Sequence, residues 1–579
     1  MKNIYQYIHS IIVDDCAAEF KLDRKKIISS DFVVEKPKND ENGDLSTNVS
    51  LVLGKNLQMN PMEIAERLNK KFSNRSDFKK SEIAKPGFIN FWINDSLWHK
   101  FLADIVSTEE LLPNMGNGQS VNVEYVSANP TGPLHIGHCR GAVFGDVLAS
   151  LLEKTDHKVT REYYVNDAGI QIDHLANSII IRYRELCGEE IEKYPNDFYP
   201  GKYLITIAQY FKDLHGENFL SKNKDNYLEK VKSYAVQSLL DEIKNDLSML
   251  SINQDLFIFE SNLLDEGKIE LTINALKTQQ LIYEGVLDPP KGKQVDEWEE
   301  REQMLFKSSQ FGDEMDRPLQ KSNGEWTYFA NDIAYHFDKY KRGSKHLIDI
   351  WGADHEGYIK RMNAAIEALT KGDAKFTVKL CQMVKLISDG KPIKMSKRSG
   401  DFVTLSEMVD RVGSDSIRFM MMYRKNEAPL EFDFQKVTEH SKDNPVFYVQ
   451  YAHARISSVL RKLPEHNLNF DLSDFDRCEF GLLNNAHEIQ VIKKILDWNN
   501  IIETSVKLYE PHRIAYYLYQ LASSFHSLWN QGKIDPKLRF INANNTDLSY
   551  ARVALIIAVQ KIIKSGLDLL GVSAPDEMQ

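Results

Sequence analysis

The stretch Val121-Asn-Val-Glu-Tyr-Val126, continued by Ser127-Ala-Asn-Pro-Thr-Gly-Pro-Leu-His135-Ile-Gly137-His138, decides how the rest of the chain is read. Apolar and polar residues alternate from Val121 to Val126, as they do in a strand. A loop containing two prolines and a glycine follows, and then apolar positions recur at helical spacing from about Gly137 to Leu152. Strand, loop and helix in that order open a nucleotide-type parallel sheet, whose ligands gather at the carboxyl ends of the strands. His135 and His138 stand at the start of the helix, where backbone N–H groups and the macrodipole favour an anion. Two imidazoles there can donate to a phosphoryl group, and Gly137 leaves room for a flat base. Taken alone, a His-x-x-His at a helix start is more often a cap or an incidental surface pair.

Upstream, apolar residues of Asn3 to Glu19 recur at helical spacing, and Gly87-Phe-Ile-Asn-Phe-Trp-Ile93 reads as a strand, so the first hundred residues suggest a small α/β domain. The turn-rich Asn114-Met-Gly-Asn-Gly-Gln119 closes it. Downstream, about Tyr163 to Gly324 is mostly polar and helical in pattern and reads as an insertion between two halves of a parallel sheet. His346-Leu-Ile-Asp-Ile350 then reads as a second buried strand, with Trp351-Gly-Ala-Asp-His355 as the loop at its carboxyl end. From Pro445 onward, spacings such as Val553, Leu555, Ile556, Val559 and Ile563 predict a helical bundle. The expected fold is therefore a Rossmann-like α/β core with a long insertion, a small N-terminal α/β domain and a C-terminal all-α bundle. The boundaries expected are 1–108, 109–400 with the insertion at about 163–324, a helical connection 401–444, and 445–579.

With 579 residues the chain is too long for a one-domain binding module, and no run of apolar residues reaches the length of a membrane span. No signal peptide is evident, which predicts a cytoplasmic protein. The five cysteines are scattered without a Cys-x-x-Cys pair, so neither disulfides nor structural zinc are expected. A net charge of −11 argues against coating DNA. It leaves an RNA partner open, because residues 445–579 carry fourteen Lys plus Arg against fourteen Asp plus Glu and the whole deficit lies upstream.

A second cluster, Lys391-Pro-Ile-Lys394-Met395-Ser396-Lys397-Arg398-Ser-Gly400, is a compact basic loop suited to a triphosphate tail. Alone it is an ordinary solvated loop. His-Ile-Gly-His before the insertion and Lys-Met-Ser-Lys after it together resemble the two signatures of class I aminoacyl-tRNA synthetases. Within that class the chain resembles the arginyl-tRNA synthetase family over nearly its full length. The similarity rests also on Asn42-Gly-Asp-Leu-Ser-Thr-Asn48, Lys85-Pro-Gly-Phe-Ile-Asn90, Glu124-x-x-Ser127-x-Asn129, Tyr328-x-x-x-Asp332, Tyr448-Val-Gln-Tyr451-Ala-His-Ala-Arg455 and the terminal Ser573-Ala-Pro-Asp-Glu-Met578. Some members lack the lysine loop and carry a compensating lysine before the first histidine; this chain has Gly132 there and keeps Lys397. Arg398 stands where a serine is commoner.

The resemblance implies an enzyme that joins L-arginine to tRNA(Arg) at the expense of ATP, with Mg2+ accompanying the nucleotide, no resident metal, no DNA or membrane partner, and a monomer. It implies His135, His138, Lys394 and Lys397 as catalytic groups. Gly137, Gly352, Asp354, His355, Met395 and Ser396 would lie around ATP. Glu124, Ser127, Asn129, Tyr328, Asp332 and Glu260 would lie around arginine. Tyr448, Tyr451 and Arg455 would face tRNA. A guanidinium is planar and always charged, which suits Asp332 as its partner, with Tyr328 one turn earlier on the same helix face. Two other readings stay open on the residues: a class I enzyme for another amino acid, and a noncatalytic RNA-binding paralogue. An apolar substrate would leave the Asp332 carboxylate without a partner, and retention of both histidines and both lysines weighs against loss of catalysis.

Overall fold

The computed structural model describes residues 3–222, 226–287, 301–388, 390–393, 403–466, 468, 470, 475, 478–542 and 544–578. The first hundred residues fold as helices on a four-stranded antiparallel sheet. Its order is Val34–Glu35, Leu45–Thr47, Phe88–Ile93, Phe78–Ala84. The helix read from Asn3 onward spans Ile4–Phe20, with the Asn3 side chain accepting from the Tyr5 N–H as its cap.

The central sheet has five parallel strands: β1 (Ser120–Glu124), β2 (Lys158–Val165), β3 (Leu256–Phe259), β4 (His346–Gly352) and β5 (Lys375–Cys381), in the order β5-β4-β1-β2-β3. His346 to Ile350 are all buried, which explains the unbroken apolar run: helices cover both faces. Strand order reverses between β1 and β4, so the loops leaving these two strands diverge and open a crevice at their carboxyl ends.

Helix α1 (Ile136–Lys154) follows β1 and lies on the sheet. A Cβ on Gly145 would come within 2.2 Å of the Tyr125 ring, so only glycine lets α1 approach this closely. Helices Ile170–Leu186, Tyr203–His215 and α2 (Tyr227–Met249) form the helical insertion around a core of their own. Helix α3 (Tyr328–Lys341) packs above the sheet and precedes β4. After β5 come Leu405–Val412 and α4 (Ser414–Met422), and then a bundle that includes α5 (Pro445–Arg461), α6 (His512–Ile534) and α7 (Thr546–Leu570).

Two stretches differ from the sequence expectation. Residues 163–324 are not helical throughout, because Leu256–Phe259 pairs with β2 as an edge strand of the central sheet. Ile282–Gly285, Gln303–Phe306 and Arg317–Pro318 also form a small antiparallel sheet there. Each of these strands is two to four residues long, too short for a two-residue period to stand out. The connection 401–444 likewise contains a strand, Leu430–Asp433, parallel to Val384–Ser388. No helix of the described residues is long and apolar enough to cross a membrane.

Candidate active site

Three acidic side chains stand in register across neighbouring strands. Asp349 of β4 pairs with Glu124 of β1, and Glu124 pairs with Glu162 of β2. Partners in a parallel ladder point to the same face, so this row repels itself unless cations meet it. Helix α3 supplies them. Lys339, whose side chain has no exposed surface, donates to Asp349 Oδ1 at 3.0 Å and to Glu124 Oε2, and its ammonium lies 4.5 Å from the Tyr335 ring centre. Arg342 grips Glu162 through two bonds of 2.8 Å. His336 places Nε2 2.7 Å from Asp349 Oδ2 and Nδ1 2.7 Å from the Asp332 carbonyl oxygen. Glu124, His336 and Asp349 bring donor atoms within 4.8 Å of one another, a spacing that suits a metal. The Lys339 ammonium already bonds both carboxylates, so a metal would have to displace a buried ion pair.

Past Glu124 the chain turns sharply, with Val126 and Ser127 at φ 71° and 38°. Such backbone costs free energy and is held in place by its surroundings. The turn lets Ser127 Oγ donate to Glu124 Oε1 at 2.8 Å while accepting the Tyr164 N–H at 3.1 Å. Next to this pair, Glu260 accepts from Asn331 Nδ2 at 2.8 Å and Asp332 accepts from the Tyr358 hydroxyl at 2.7 Å. Burial raises the Glu260 carboxyl. Burial, helped by the charges of Glu260 and Glu124, lifts Asp332 to about 6. Burial and the surrounding Glu260, Asp332, Glu124 and Asp167 push the Tyr164 phenol far up. Burial also works to raise Asp349, but Lys339 and His336 more than cancel it and hold that carboxyl at about 2. Lys339 and Arg342 thus balance the row on the strands, whereas Asp332 and Glu260 receive hydrogen bonds from neutral groups. What remains is a cluster with an excess of negative charge.

Of the residues read from sequence, Glu124, Ser127, Glu260 and Asp332 converge here. Tyr328 lies one turn before Asp332 and is 60% exposed, with the Lys321 ammonium 5.3 Å from its ring centre; the hydroxyl on Asp332 belongs to Tyr358. Asn129 is exposed and donates to Gln171 at 3.0 Å.

His135 is the N-cap of α1. Its Nδ1 accepts the Gly137 N–H at 3.0 Å, while His138 Nδ1 accepts the His135 N–H at 3.4 Å. The two rings stack with centres 4.0 Å apart. Capping therefore fixes both imidazoles at the positive end of the helix, so the structural and functional readings of this motif are compatible. Gly137 beside them is exposed. Gly352, Asp354 and His355 are exposed at the carboxyl end of β4, with His355 Nε2 3.6 Å from Asp354 Oδ2.

Lys394, Met395, Ser396 and Lys397 lie outside the described residues. The chain on their far side returns to the histidines: Thr404 bridges His135, and the Leu405 N–H donates to the Leu134 carbonyl at 3.0 Å. Arg140, two residues after His138 and 1% exposed, donates to the carbonyls of Gln382, Arg424, Lys425 and Ala428. The histidine helix is thus fastened to segments on both sides of the lysine loop.

In the bundle, Tyr448 packs half-buried between Tyr519 and His526, with ring centres 5.3 and 4.4 Å away. Tyr451 stacks on Phe447, and the Arg455 guanidinium lies 4.1 Å from the Tyr451 ring centre and 5.1 Å from that of Trp529. Tyr451, Arg455, Arg461, Trp529, Lys533 and Met578 are among the residues lining a cavity of about 420 Å³. Aromatic faces and cations around a cavity of this size suit an unpaired base.

Three family models match in order along the chain: the arginyl tRNA synthetase N terminal domain over residues 6–93, the class I (R) tRNA synthetase catalytic domain over 101–459, and the DALR anticodon binding domain over 449–578. The arginine–tRNA ligase of Parvibaculum lavamentivorans is 50% identical over 550 residues, 94% of each chain. The chain belongs to the arginyl-tRNA synthetase family. A second family member, the arginine–tRNA ligase of Ruegeria sp., is 46% identical over the full length of both chains. The arginyl-tRNA synthetase of Thermus thermophilus shares the fold, with a TM-score of 0.71 and 20% identity over 99% of this chain and 100% of that one.

Against the family frame, the structure adds residues that the sequence reading missed. His336 and Lys339 follow Asp332 by four and seven positions, one continuous face of α3, so helical spacing alone could have flagged them. Asp349 sat in view as the one charge inside an apolar strand. Tyr358 and Tyr164 carry no local signal.

Proposed function

We infer that the protein activates L-arginine with ATP to arginyl-adenylate and pyrophosphate, and then transfers arginine to the 3′ end of tRNA(Arg). The observation that carries this reading is the acidic cluster of Asp332, Glu260 and Glu124, with Glu124 ending β1 and the capped histidines opening α1 at the end of the loop that follows it. A guanidinium can donate paired bonds to carboxylates there that an apolar side chain cannot. Lys339 holds Glu124 in place from below, and the Tyr358 hydroxyl orients Asp332.

In activation, an arginine carboxylate oxygen attacks the α-phosphorus while the bond to the pyrophosphate oxygen breaks. Negative charge grows on the phosphoryl oxygens. His135 and His138 donate to it, and the lysine loop holds the β- and γ-phosphates, with Mg2+ accompanying the nucleotide as part of the substrate. Each preorganised donor of this kind is worth roughly a hundredfold to a thousandfold in turnover. Gly137, Gly352, Asp354 and His355 border the adenosine. In the second step the terminal ribose hydroxyl attacks the arginyl carbonyl and AMP leaves. A site built to hydrogen-bond a buried charge rejects analogues lacking it by roughly ten thousandfold, so no editing site is required.

Segments 1–108 and 445–579 flank the tRNA, with Tyr451 and Arg455 at an unpaired base, and 109–400 carries the chemistry. The test is ATP–pyrophosphate exchange with arginine, lysine or leucine, each with and without tRNA. Exchange is expected with arginine alone and only when tRNA is present. Equal exchange with lysine or leucine overturns the substrate, and robust exchange without tRNA overturns the RNA requirement.

A further inference from the structure

Arg418 of α4 is 1% exposed and bonds in three directions. Nη2 meets Asp146 Oδ2 of the histidine helix α1 at 2.6 Å. Nη1 donates to the carbonyl of Leu250, just past α2 of the insertion, at 2.7 Å. Nε donates to the carbonyl of Leu570, the last residue of α7, also at 2.7 Å. Both carbonyls are helix-end acceptors that lack partners within their own helices. One rigid, planar fork therefore joins three bodies of the protein, which a lysine ammonium cannot do with the same geometry.

The residue after Leu570 is Gly571, at φ +64°. A Cβ there would fall 2.4 to 2.5 Å from the guanidinium atoms of Arg418, so the end of α7 closes on this plane only because the position is glycine. The tail beyond it leads straight to the cavity at Tyr451. The Ser573 N–H donates to Asp415 of α4 at 3.1 Å. Gln450 of α5 donates to both Asp415 at 2.9 Å and the Ser573 carbonyl at 3.0 Å. Asp576 accepts from Ser457 of α5 at 2.8 Å, and Met578 lines the cavity. Seven residues of hydrogen-bonded chain thus span the distance between Arg418 and the cavity wall.

We propose that Arg418 is a positioning residue which, with Gly571, transmits occupancy of the Tyr451 cavity by an unpaired base to the histidine helix through Asp146. The inference rests on the function proposed above. A base seated against Met578 and Tyr451 fixes the tail and α5. The tail fixes the end of α7, and the guanidinium cannot follow that end without moving Asp146 and with it the N-terminus that carries His135 and His138. The benefit falls on turnover, since Arg418 touches neither the base nor the reacting atoms.

Two variants of the full chain, Arg418→Lys and Gly571→Ala, test this by aminoacylation kinetics on two transcripts, one with its native anticodon loop and one with those loop bases replaced. The wild-type protein is expected to lose both kcat and affinity on the replaced loop. In each variant the ratio of kcat between the two transcripts should fall towards one, a change of roughly five- to a hundredfold, while the ratio of KM stays as in wild type. The double variant should be no worse than the weaker single one, because both act on one contact. A ratio of kcat on two RNAs cancels the fraction of protein folded, so general destabilisation does not move it. Variants that keep the wild-type kcat ratio overturn the proposal, as does a wild-type kcat that ignores the loop. A wild-type protein that attaches arginine to neither transcript overturns the proposed function, and this inference with it.

Discussion

Replacing Asp332 by asparagine keeps the shape of the pocket and a partner for Tyr358 while removing one charge. The carboxyl stands at about 6, raised first by burial and then by Glu260 and Glu124. A guanidinium binds its ionised form. Below pH 6 a proton must leave before arginine enters, so the KM for arginine should rise about tenfold between pH 7 and pH 5. In the variant this dependence should vanish. The loss of an ionic partner facing a desolvated guanidinium costs about 3 kcal/mol or more, which corresponds to a KM raised roughly a hundredfold at neutral pH. Stability should move the other way. A carboxyl whose folded pKa lies above its unfolded value favours folding below the unfolded value, and that contribution is lost as the pH rises through 6. Displacement from 3.8 to about 6 makes the empty pocket at pH 7 less stable by up to about 3 kcal/mol, with the half-buried position reducing this. The variant should therefore withstand more urea than the wild-type protein at pH 7 and lose that advantage below pH 4. Arginine-dependent pyrophosphate exchange in the presence of tRNA, measured from pH 5 to 8, reads the first effect; urea unfolding reads the second. A wild-type KM that is flat across this range, or a KM in the variant within threefold of wild type, refutes the reasoning.

Lys339→Met strands Glu124 and Asp349 without their shared cation and should cost about 3 to 5 kcal/mol in urea unfolding; a loss below 1 kcal/mol would show that the row tolerates its own repulsion. Gly145→Ala sets helix propensity, worth up to about 1 kcal/mol in favour, against a Cβ 2.2 Å from the Tyr125 ring. The contact wins, and the variant should be destabilised by about 1 to 3 kcal/mol, a forecast overturned by an unchanged or raised unfolding midpoint. Tyr451→Ala removes one stacking face and should raise the KM for tRNA by roughly tenfold or more with the KM for arginine unchanged. An equal rise in both would mean that the tyrosine serves packing alone.

The elements that place the site were legible where one face or both faces of an element are buried. The strand read from Val121 appears as Ser120–Glu124, the helix read from Gly137 starts at Ile136, and the buried strand at His346 runs to Gly352. Asp332 and Glu124 were legible through the family pattern, and the pocket brings them together. What escaped is the chemistry that neutralises charge at long range. In His336-Phe-Asp-Lys339-Tyr-Lys-Arg342 three basic side chains crowd the end of a helix, which on sequence alone reads as a solvated terminus. Lys339 and Arg342 turn inward because Glu124, Asp349 and Glu162 wait on strands up to 215 residues away. Arg418 and Arg140 are buried for a similar reason, against backbone carbonyls that leave no trace in the order of amino acids. The strand Leu256–Phe259 was hidden by its length.

The row Asp349, Glu124, Glu162 also governs how the protein is made. During synthesis β1 and β2 emerge first, and Glu124 and Glu162 stand side by side with no ammonium or guanidinium to meet them. About 190 further residues must leave the ribosome before β4 can slot in next to β1, which at about 5 to 20 residues per second takes roughly ten to forty seconds. Until then the nascent half presents an open strand edge with two carboxylates that resist dehydration. Premature closure is disfavoured by that repulsion, and the late arrival of α3 and β4 releases it, so the ionic layer acts as a checkpoint on the order of assembly.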